Sequence, residues 1–252
     1  ATSSRYSTPP PRCTEQAVIL LLHSYVQAMS LAHLSMPATL LKHYRSSLST
    51  PHGLILVTCP AGSGKSFALS SGLSWLSAPS RNLCSVEDPV EIPLAGVNQT
   101  QIHTRSGLSF NLVLRALLRQ DPDVIMLGEI RDAETAEIAV KAAQTGHLVL
   151  STLHTNSTTE TLVRMGQMGV PGYMLASALK LIVAQRLVRK LCSHCREPAE
   201  ALAHFPSDIW PGTVQNWRAV GCERCFSGYY GRLVPFEMLP VFPSLHNALA
   251  QN

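Results

Sequence analysis

The stretch HGLILVTCPAGSGKSFALSSGLSWL, residues 52–76, decides the fold of this 252-residue chain. The apolar run at residues 54–57 predicts a buried strand, the Gly- and Ser-rich segment after it predicts a loop, and the pattern after Ser66 predicts a helix. The backbone N–H groups of such a loop and the positive N-terminus of the next helix bind phosphate groups together. The stretch therefore predicts a phosphate-binding loop, with a plain turn between a strand and a helix as the alternative.

One position of the loop departs from the pattern G-x-x-x-x-G-K-[ST], because Cys59 stands where the first Gly is expected. In this pattern Lys65 reaches the β- and γ-phosphates of a nucleotide, and the hydroxyl of Ser66 binds Mg²⁺. A Gly adopts backbone conformations that cost a residue with a Cβ about 1 kcal/mol or more. Cys59 therefore motivates a second hypothesis, a nucleotide-binding scaffold with little or no hydrolysis.

Composition and patterning indicate a globular α/β protein. The chain is 46% hydrophobic and 14% charged, and its net charge of +4 is too mild to indicate nucleic acid or acidic lipid as a partner. Strand and helix patterns alternate from residue 53 onward, which predicts a mainly parallel sheet. Residues 1–16 resemble the end of an upstream unit, so we expect a fragment of a longer protein. Residues 25–50 have helical spacing and predict a helical linker.

Acidic residues follow two predicted strands, at the edge where an open α/β sheet binds its ligands. Glu87 ends the strand pattern NLCSVED (82–88), and Glu129 follows the apolar run at 124–127. A carboxylate at Glu129 can hold a metal-bound water or take a proton from the attacking water, and we expect its strand beside that of the phosphate loop. The alternatives are a solvated acidic turn at Glu87 and a helix N-terminal carboxylate at Glu129. Residues 96–102 alternate like one strand of a surface hairpin.

Two histidines, His147 and His154, frame a third apolar run at residues 148–150. A histidine at a strand end can donate to a phosphate oxygen or orient a water. A satisfied surface histidine is the alternative for each of them.

Two CxxC pairs, CSHC at 192–195 and CERC at 222–225, offer four thiolates. Four Cys ligands complete a tetrahedral Zn²⁺ site with no open position, which predicts a structural role. The 26 residues between the pairs exceed the usual spacing of about 15 to 20. A zinc-ribbon nucleic-acid binder is a third reading, and the lack of a basic stripe with interleaved aromatic residues argues against it. The predicted ligands are Cys192, Cys195, Cys222 and Cys225.

Four segments together resemble the secretion ATPases, and more narrowly the assembly ATPases of type II secretion and type IV pilus systems. They are EDPVEI (87–92), LRALLRQDPDVIMLGEIRD (114–132), TGHLVLSTLHTN (145–156) and AQRLVRKLC (184–192). The resemblance covers nearly all of residues 50–240, and the CxxC pairs favour the assembly branch over the retraction branch. It implies a RecA-like P-loop ATPase domain at 51–190 and a zinc-binding subdomain at 191–232. It further implies the end of a PAS-like N-terminal domain at 1–24 and the start of a truncated C-terminal region at 233–252.

The resemblance also implies roles for single residues. Glu87 would act through Mg²⁺-bound water, Glu129 would polarise the attacking water, and His147 and His154 would lie near the γ-phosphate. Lys65 would act on the phosphates both in binding and in catalysis. The residues implied to bind nucleotide are Gly62, Ser63, Gly64, Lys65, Ser66, Phe67, Arg186 and Arg5, of which Ser66 also binds Mg²⁺. The family's second N-terminal arginine falls on a Leu near position 20.

The function implied is that of an ATP-hydrolysing motor for the assembly of pilins or pseudopilins. Family members form hexameric rings, in line with a head-to-tail interface that closes on itself. The expected cofactors are ATP or ADP, Mg²⁺ and Zn²⁺, and the expected partner is an inner-membrane platform protein. The location implied is the cytoplasm, at the inner-membrane face, with membrane contact only through partners and no nucleic acid.

Overall fold

The computed structural model describes residues 30–60, 64–200, 212 and 214–251, together with the backbone of residues 2–7 and 18–23. Gly62 and Ser63 of the predicted phosphate loop lie outside the described residues. Arg5 lies on a described strand, opposite Leu20, but its side chain is outside the description.

A seven-stranded sheet organises the molecule, in the order β13-β8-β3-β7-β6-β4-β5. The pairs within it are parallel except that β13 runs antiparallel to β8. The predicted α/β fold with a mainly parallel sheet is therefore confirmed. The strands along the chain are β1 Thr2–Ser7, β2 Val18–His23, β3 Gly53–Thr58, β4 Leu83–Glu87, β5 Val97–Gln101, β6 Val124–Leu127, β7 Leu148–Leu153, β8 Leu179–Gln185, β9 Val188–Leu191, β10 Glu197–Pro198, β11 Trp217–Arg218, β12 Tyr229–Leu233 and β13 Phe236–Pro240.

Helices cover both faces of this sheet. The α-helices are α1 Ala38–Leu48, α2 Lys65–Leu76, α3 Phe110–Leu117, α4 Ala133–Gln144, α5 Thr158–Gln167, α6 Gly172–Ala178 and α7 Pro243–Ala250, with short 3₁₀ helices at Leu31–Leu34 and Thr104–Ser106. Alternate residues of β3 point to opposite faces, so Leu54 packs with α3 to α6 and Ile55 packs with α1 and α2. A strand buried on both faces needs an unbroken apolar run, as residues 54–57 supply. Among the described residues, no helix has the length and apolar character needed to cross a bilayer.

The order of the strands corrects two predictions. β6, which leads to Glu129, is separated from the phosphate-loop strand β3 by β7, so the expected adjacency is wrong. Residues 97–101 form β5, which pairs parallel to β4 at the edge of the main sheet, so the expected surface hairpin is wrong as well. Both errors concern which strands pair and in which direction, and local residue patterns specify neither.

The predicted linker contributes to the core. The 3₁₀ helix Leu31–Leu34 and α1 bury apolar residues against α2, and the Tyr44 hydroxyl donates to the carbonyl of Ala68 at 3.1 Å. Burial raises the pKa of this tyrosine. Gly72 allows the approach, because a Cβ at that position would lie 2.9 Å from the Tyr44 oxygen. The start of α2, where the predicted phosphate loop ends, is thereby held from one side by α1.

The segment between β8 and β13 leaves the main sheet and returns to it. It contains two small antiparallel pairs, β9 with β12 and β10 with β11. The N–H of Arg186 donates to the carbonyl of Pro235 at 3.2 Å, where the outgoing and returning chains meet. β13 lies within residues 233–252, so the main sheet includes part of the predicted C-terminal region.

Candidate active site

The carboxyl ends of β3, β4, β6 and β7 meet at one edge of the sheet, and α2 begins there. Gly64 precedes α2 with φ +84°, a left-handed conformation that favours glycine. Lys65, the first residue of the helix, donates to the carbonyl of Cys59 at 3.0 Å and lies 2.9 Å from Nδ1 of His154. The positive end of the α2 dipole and the Lys65 amine thus face the same space, which suits an anion.

His154 connects Lys65 to Glu129. Because Lys65 can only donate, Nδ1 of His154 accepts and Nε2 carries the proton. Nε2 lies 3.3 Å from Oε2 of Glu129, and Oε1 of Glu129 forms an ion pair with Arg131. Partial burial lowers the pKa of Lys65, while the charge of Glu129 opposes this change. The hydrogen bond to Glu129 raises the pKa of Arg131.

These groups surround a cavity of about 140 Å³, the phosphate cavity. Lys65, Ser66, Glu87 and Glu129 all line it. Carboxylate and hydroxyl oxygens are the ligands that Mg²⁺ prefers, and an ammonium group complements phosphate. The cavity can therefore hold a phosphate group together with a hydrated metal ion. Five predicted site residues from four separate segments are brought together here: Lys65, Ser66, Glu87, Glu129 and His154.

A second cavity of about 280 Å³, the apolar cavity, lies beside Gly64 and Phe67. Gln185 and Leu187 also line it. The other lining residues come from two distant segments of the chain, namely His33, Leu34 and Ser35 in the first and Arg232, Leu233, Val234 and Phe236 in the second. Apolar walls with a few polar groups are typical of sites for flat organic ligands. Phe67 was predicted to bind nucleotide, and Arg186 follows Gln185 with an exposed side chain. Gly64 was predicted as well, and the other lining residues were missed, since no local pattern relates them to the loop.

His147 lies at the other edge of the sheet. It precedes β7, whereas His154 follows that strand, and a six-residue strand spans about 20 Å. Its Nδ1 donates to the carbonyl of Ala142 at 3.1 Å. The prediction that His147 lies near a phosphate bound by this chain's own loop is therefore wrong, because the two strand ends point in opposite directions.

Cys59 adopts no left-handed conformation. Among the described residues, the non-glycine residues with positive φ are Ser35, Asp121 and Ser227. Cys59 lies directly after β3 with its side chain buried, 1% exposed. The backbone strain that motivated the scaffold hypothesis is thus absent at this position.

The four predicted cysteine ligands form one cluster, with all four sulfur atoms within 4.8 Å of one another. The Sγ atoms of Cys195 and Cys225 are 3.6 Å apart, and those of Cys192 and Cys222 are 4.0 Å apart. A tetrahedral Zn²⁺ with Zn–S bonds of about 2.3 Å requires sulfur separations of about 3.8 Å. Burial raises the pKa of Cys225, but hydrogen bonds that include one from the Cys222 N–H outweigh it and bring the pKa to about 7. The cluster fits a tetrahedral thiolate site.

Comparison with known proteins identifies the family of the chain. All 252 residues match the family described as Type II/IV secretion system protein. The chain belongs to this family. The resemblance to secretion ATPases inferred from the four sequence segments is thereby confirmed.

Two relatives and one solved structure illustrate what the chain is similar to. The chain is 57% identical over 252 residues to the "Protein transport protein HofB homolog" of Escherichia coli K12, covering 100% of this chain and 55% of that protein. It is 48% identical over 253 residues to the "Type IV pilus assembly ATPase PilB" of Pseudomonas aeruginosa, covering 98% of this chain and 44% of that protein. The chain thus spans about half the length of these curated relatives. The crystal structure of the pilus retraction motor PilT with bound ADP superposes with a TM-score of 0.68 at 26% identity, covering 98% of this chain and 66% of that one.

Proposed function

We propose that the chain binds ATP with Mg²⁺ and hydrolyses it. The observation that carries this proposal is the phosphate cavity, in which Lys65 and Ser66 at the start of α2 face Glu87 and Glu129. Phosphoryl transfer requires little covalent chemistry from a protein, and mainly requires neutralised phosphate charge and a water placed in line. The family of the chain and the pilus motor that resembles it support the same activity.

Each side chain has a proposed task in this reaction. Lys65 neutralises the β- and γ-phosphates, while the hydroxyl of Ser66 would hold Mg²⁺ and Glu87 would act through the water around that ion. Mg²⁺ held by these residues would supply positive charge that offsets the charge of the phosphates. Glu129 orients the attacking water and accepts its proton. His154 is close enough to both Lys65 and Glu129 to fix their positions relative to each other.

The apolar cavity is the proposed site of the nucleoside. It adjoins Gly64 and Phe67, whereas the phosphate cavity adjoins Lys65 and Ser66, so a nucleotide that spans the start of α2 reaches both. Gly62, Ser63 and Gly64 would contribute backbone N–H groups to the phosphates between the two cavities. Arg186 and Arg5 are proposed as further contacts of the nucleotide.

We further propose that the motor powers the assembly of pilins or pseudopilins at the inner membrane. The family and the names of the relatives support this role. Hexameric ring formation, a cytoplasmic location and an inner-membrane platform protein as partner are proposed with it. Zn²⁺ is proposed at the four-cysteine cluster, where the sulfur separations fit its tetrahedral geometry.

Phosphate release measured on the full-length, Zn²⁺-loaded protein tests the enzymatic part of the proposal. We expect release from ATP that requires Mg²⁺ and falls to the background rate when Mg²⁺ is left out of the buffer. Binding of a fluorescent ATP analogue is measured on the same preparation. Binding without Mg²⁺-dependent release would contradict the proposal and favour the nucleotide-binding scaffold.

Replacement of Cys59 by Gly tests the scaffold hypothesis itself. Because Cys59 has no positive φ, we expect the variant to change ATP affinity and turnover by no more than about 2-fold. Gly64→Ala is the matched comparison, since φ +84° at Gly64 strains any residue with a Cβ, and we expect it to weaken nucleotide binding about 5-fold or more. Affinity is measured by titration and turnover by phosphate release. A large gain of turnover in Cys59→Gly would show that the cysteine limits the natural enzyme.

A further inference from the structure

A polar cluster lies beside the phosphate cavity, on the face of the sheet shared by β4 and β5. Ser85 pairs in register with Gln99 across these parallel strands, and Glu87 lies two residues beyond Ser85. Residues two apart on a strand point to the same face. The side chains of Ser85, Glu87 and Gln99 therefore meet, and Glu87 is 7% exposed.

Two donors in this cluster reach one oxygen of Glu87. The Ser85 hydroxyl donates to Oε1 at 2.6 Å, and Nε2 of Gln99 donates to the same oxygen at 3.0 Å. Among the described residues, Oε2 of Glu87 has no hydrogen-bond partner. Because Glu87 lines the phosphate cavity, the carboxylate is fixed through Oε1 and has Oε2 available for another ligand.

Gln99 also holds the loop between β4 and β5. Its Nε2 donates to the carbonyl of Ile92 at 3.0 Å, and its Oε1 accepts from the N–H of Leu94 at 2.7 Å. The amide thus uses both of its donor hydrogens and its acceptor, a combination that a carboxylate or an alkyl side chain cannot reproduce. Pro89 and Glu91 of the same loop line the phosphate cavity.

We propose that Gln99 is a positioning residue for Glu87, acting together with Ser85. It turns the carboxylate so that Oε2 faces the water shell of the metal ion, and it anchors the loop that walls the cavity beside that ion. The inference rests on the proposed function, since it assumes that Glu87 acts on Mg²⁺-bound water. Gln99 itself does not line the phosphate cavity.

The dependence on metal concentration tests this role in the full-length protein. We expect Gln99→Ala to raise the Mg²⁺ concentration for half-maximal ATP hydrolysis about 10-fold, the loss associated with one hydrogen bond to a charged group. Gln99→Glu keeps the size of the side chain but places a like charge beside Glu87, and we expect at least the same rise. Ser85→Ala removes a donor to Glu87 without touching the loop, so a rise there shows that the effect passes through Glu87.

Asn98→Ala is the matched control on β5, since Asn98 is exposed and donates to Asn82, away from Glu87. We expect wild-type Mg²⁺ dependence from it. A purely structural role for Gln99 would lower the melting temperature without changing the Mg²⁺ dependence, and that result would overturn the proposal.

Binding of Mn²⁺ with a non-hydrolysable ATP analogue, measured by electron paramagnetic resonance, separates this inference from the proposed function. Weaker Mn²⁺ binding in Gln99→Ala supports the positioning role even if the wild-type protein hydrolyses no ATP. Equal Mn²⁺ binding in wild type and Gln99→Ala overturns the role even if the wild type is an active ATPase.

Discussion

Replacement of Glu129 by Gln is expected to lower ATP turnover about 10²- to 10⁴-fold, the range for loss of a positioned general base. The amide has nearly the same volume as the carboxylate but cannot accept a proton from the attacking water. Nucleotide affinity should change by no more than about 3-fold, because Lys65 and the loop remain. Phosphate release and titration with a fluorescent ATP analogue measure the two quantities.

Glu137→Gln is the matched control for this experiment. Glu137 lies on the exposed side of α4, where it pairs with Lys141 at 2.5 Å, away from the phosphate cavity. We expect its turnover to equal that of the wild type. Turnover that survives Glu129→Gln unchanged would remove Glu129 from its proposed role and direct attention to Glu87 as the group that handles the water.

Removal of the Zn²⁺ proposed at the four-cysteine cluster is expected to unfold the segment between β8 and β13. Structural Zn²⁺ contributes about 10 to 16 kcal/mol to the folding of small zinc domains. The described part of this segment has little apolar core of its own, since Trp217, Val220, Phe226 and Tyr230 are all exposed. Hydrogen exchange should therefore become fast in β9 and β12 after chelation, while β3 and β7 stay protected.

Cys222→Ser should reproduce the effect of the chelator and lower the zinc content measured by atomic absorption. Glu223→Gln, which changes the neighbouring residue and leaves the four sulfur ligands in place, serves as the control and should retain one Zn²⁺ per chain. Unchanged exchange in β9 and β12 after complete loss of metal would contradict the structural role. A preparation that contains no zinc yet shows protected β9 and β12 would contradict it as well.

The parts of the site with a strong local signal could be predicted from sequence. The apolar run before Cys59, the Lys65–Ser66 pair and the acidic residues after β4 and β6 were placed correctly, because each depends on neighbouring residues and on the rule that ligands bind at the carboxyl edge. His147 was misplaced although the same rule applies to it, since it precedes β7 and therefore belongs to the opposite edge. The position near the γ-phosphate came from the family resemblance, whereas the order of the chain already places His147 before the strand.

The parts that depend on long-range pairing could not be predicted. The insertion of β7 between β3 and β6 results from contacts between segments far apart in the chain. The parallel direction of β5 beside β4 depends on how the loop at residues 88–96 crosses the end of the sheet, which the residue pattern does not specify. Gln99 had no signal of its own, because its relation to Glu87 exists only once β5 lies beside β4. The apolar cavity was missed for the same reason, as His33 and Arg232 approach Gly64 only in the folded chain.

Gln185 and Phe236 are direct partners in the ladder between β8 and β13. In topological terms, the fifty residues between them form one long connection between the two strands of an antiparallel pair. The strands β9 to β12 of this stretch pair with no strand of the main sheet, so we expect its exchange for that of a relative to leave the strand order of the sheet unchanged. What such an exchange would replace is the wall of the apolar cavity that Leu187 and Arg232 contribute. Evolution could thus alter the nucleoside end of the site as an interchangeable module while the phosphate end stays the same.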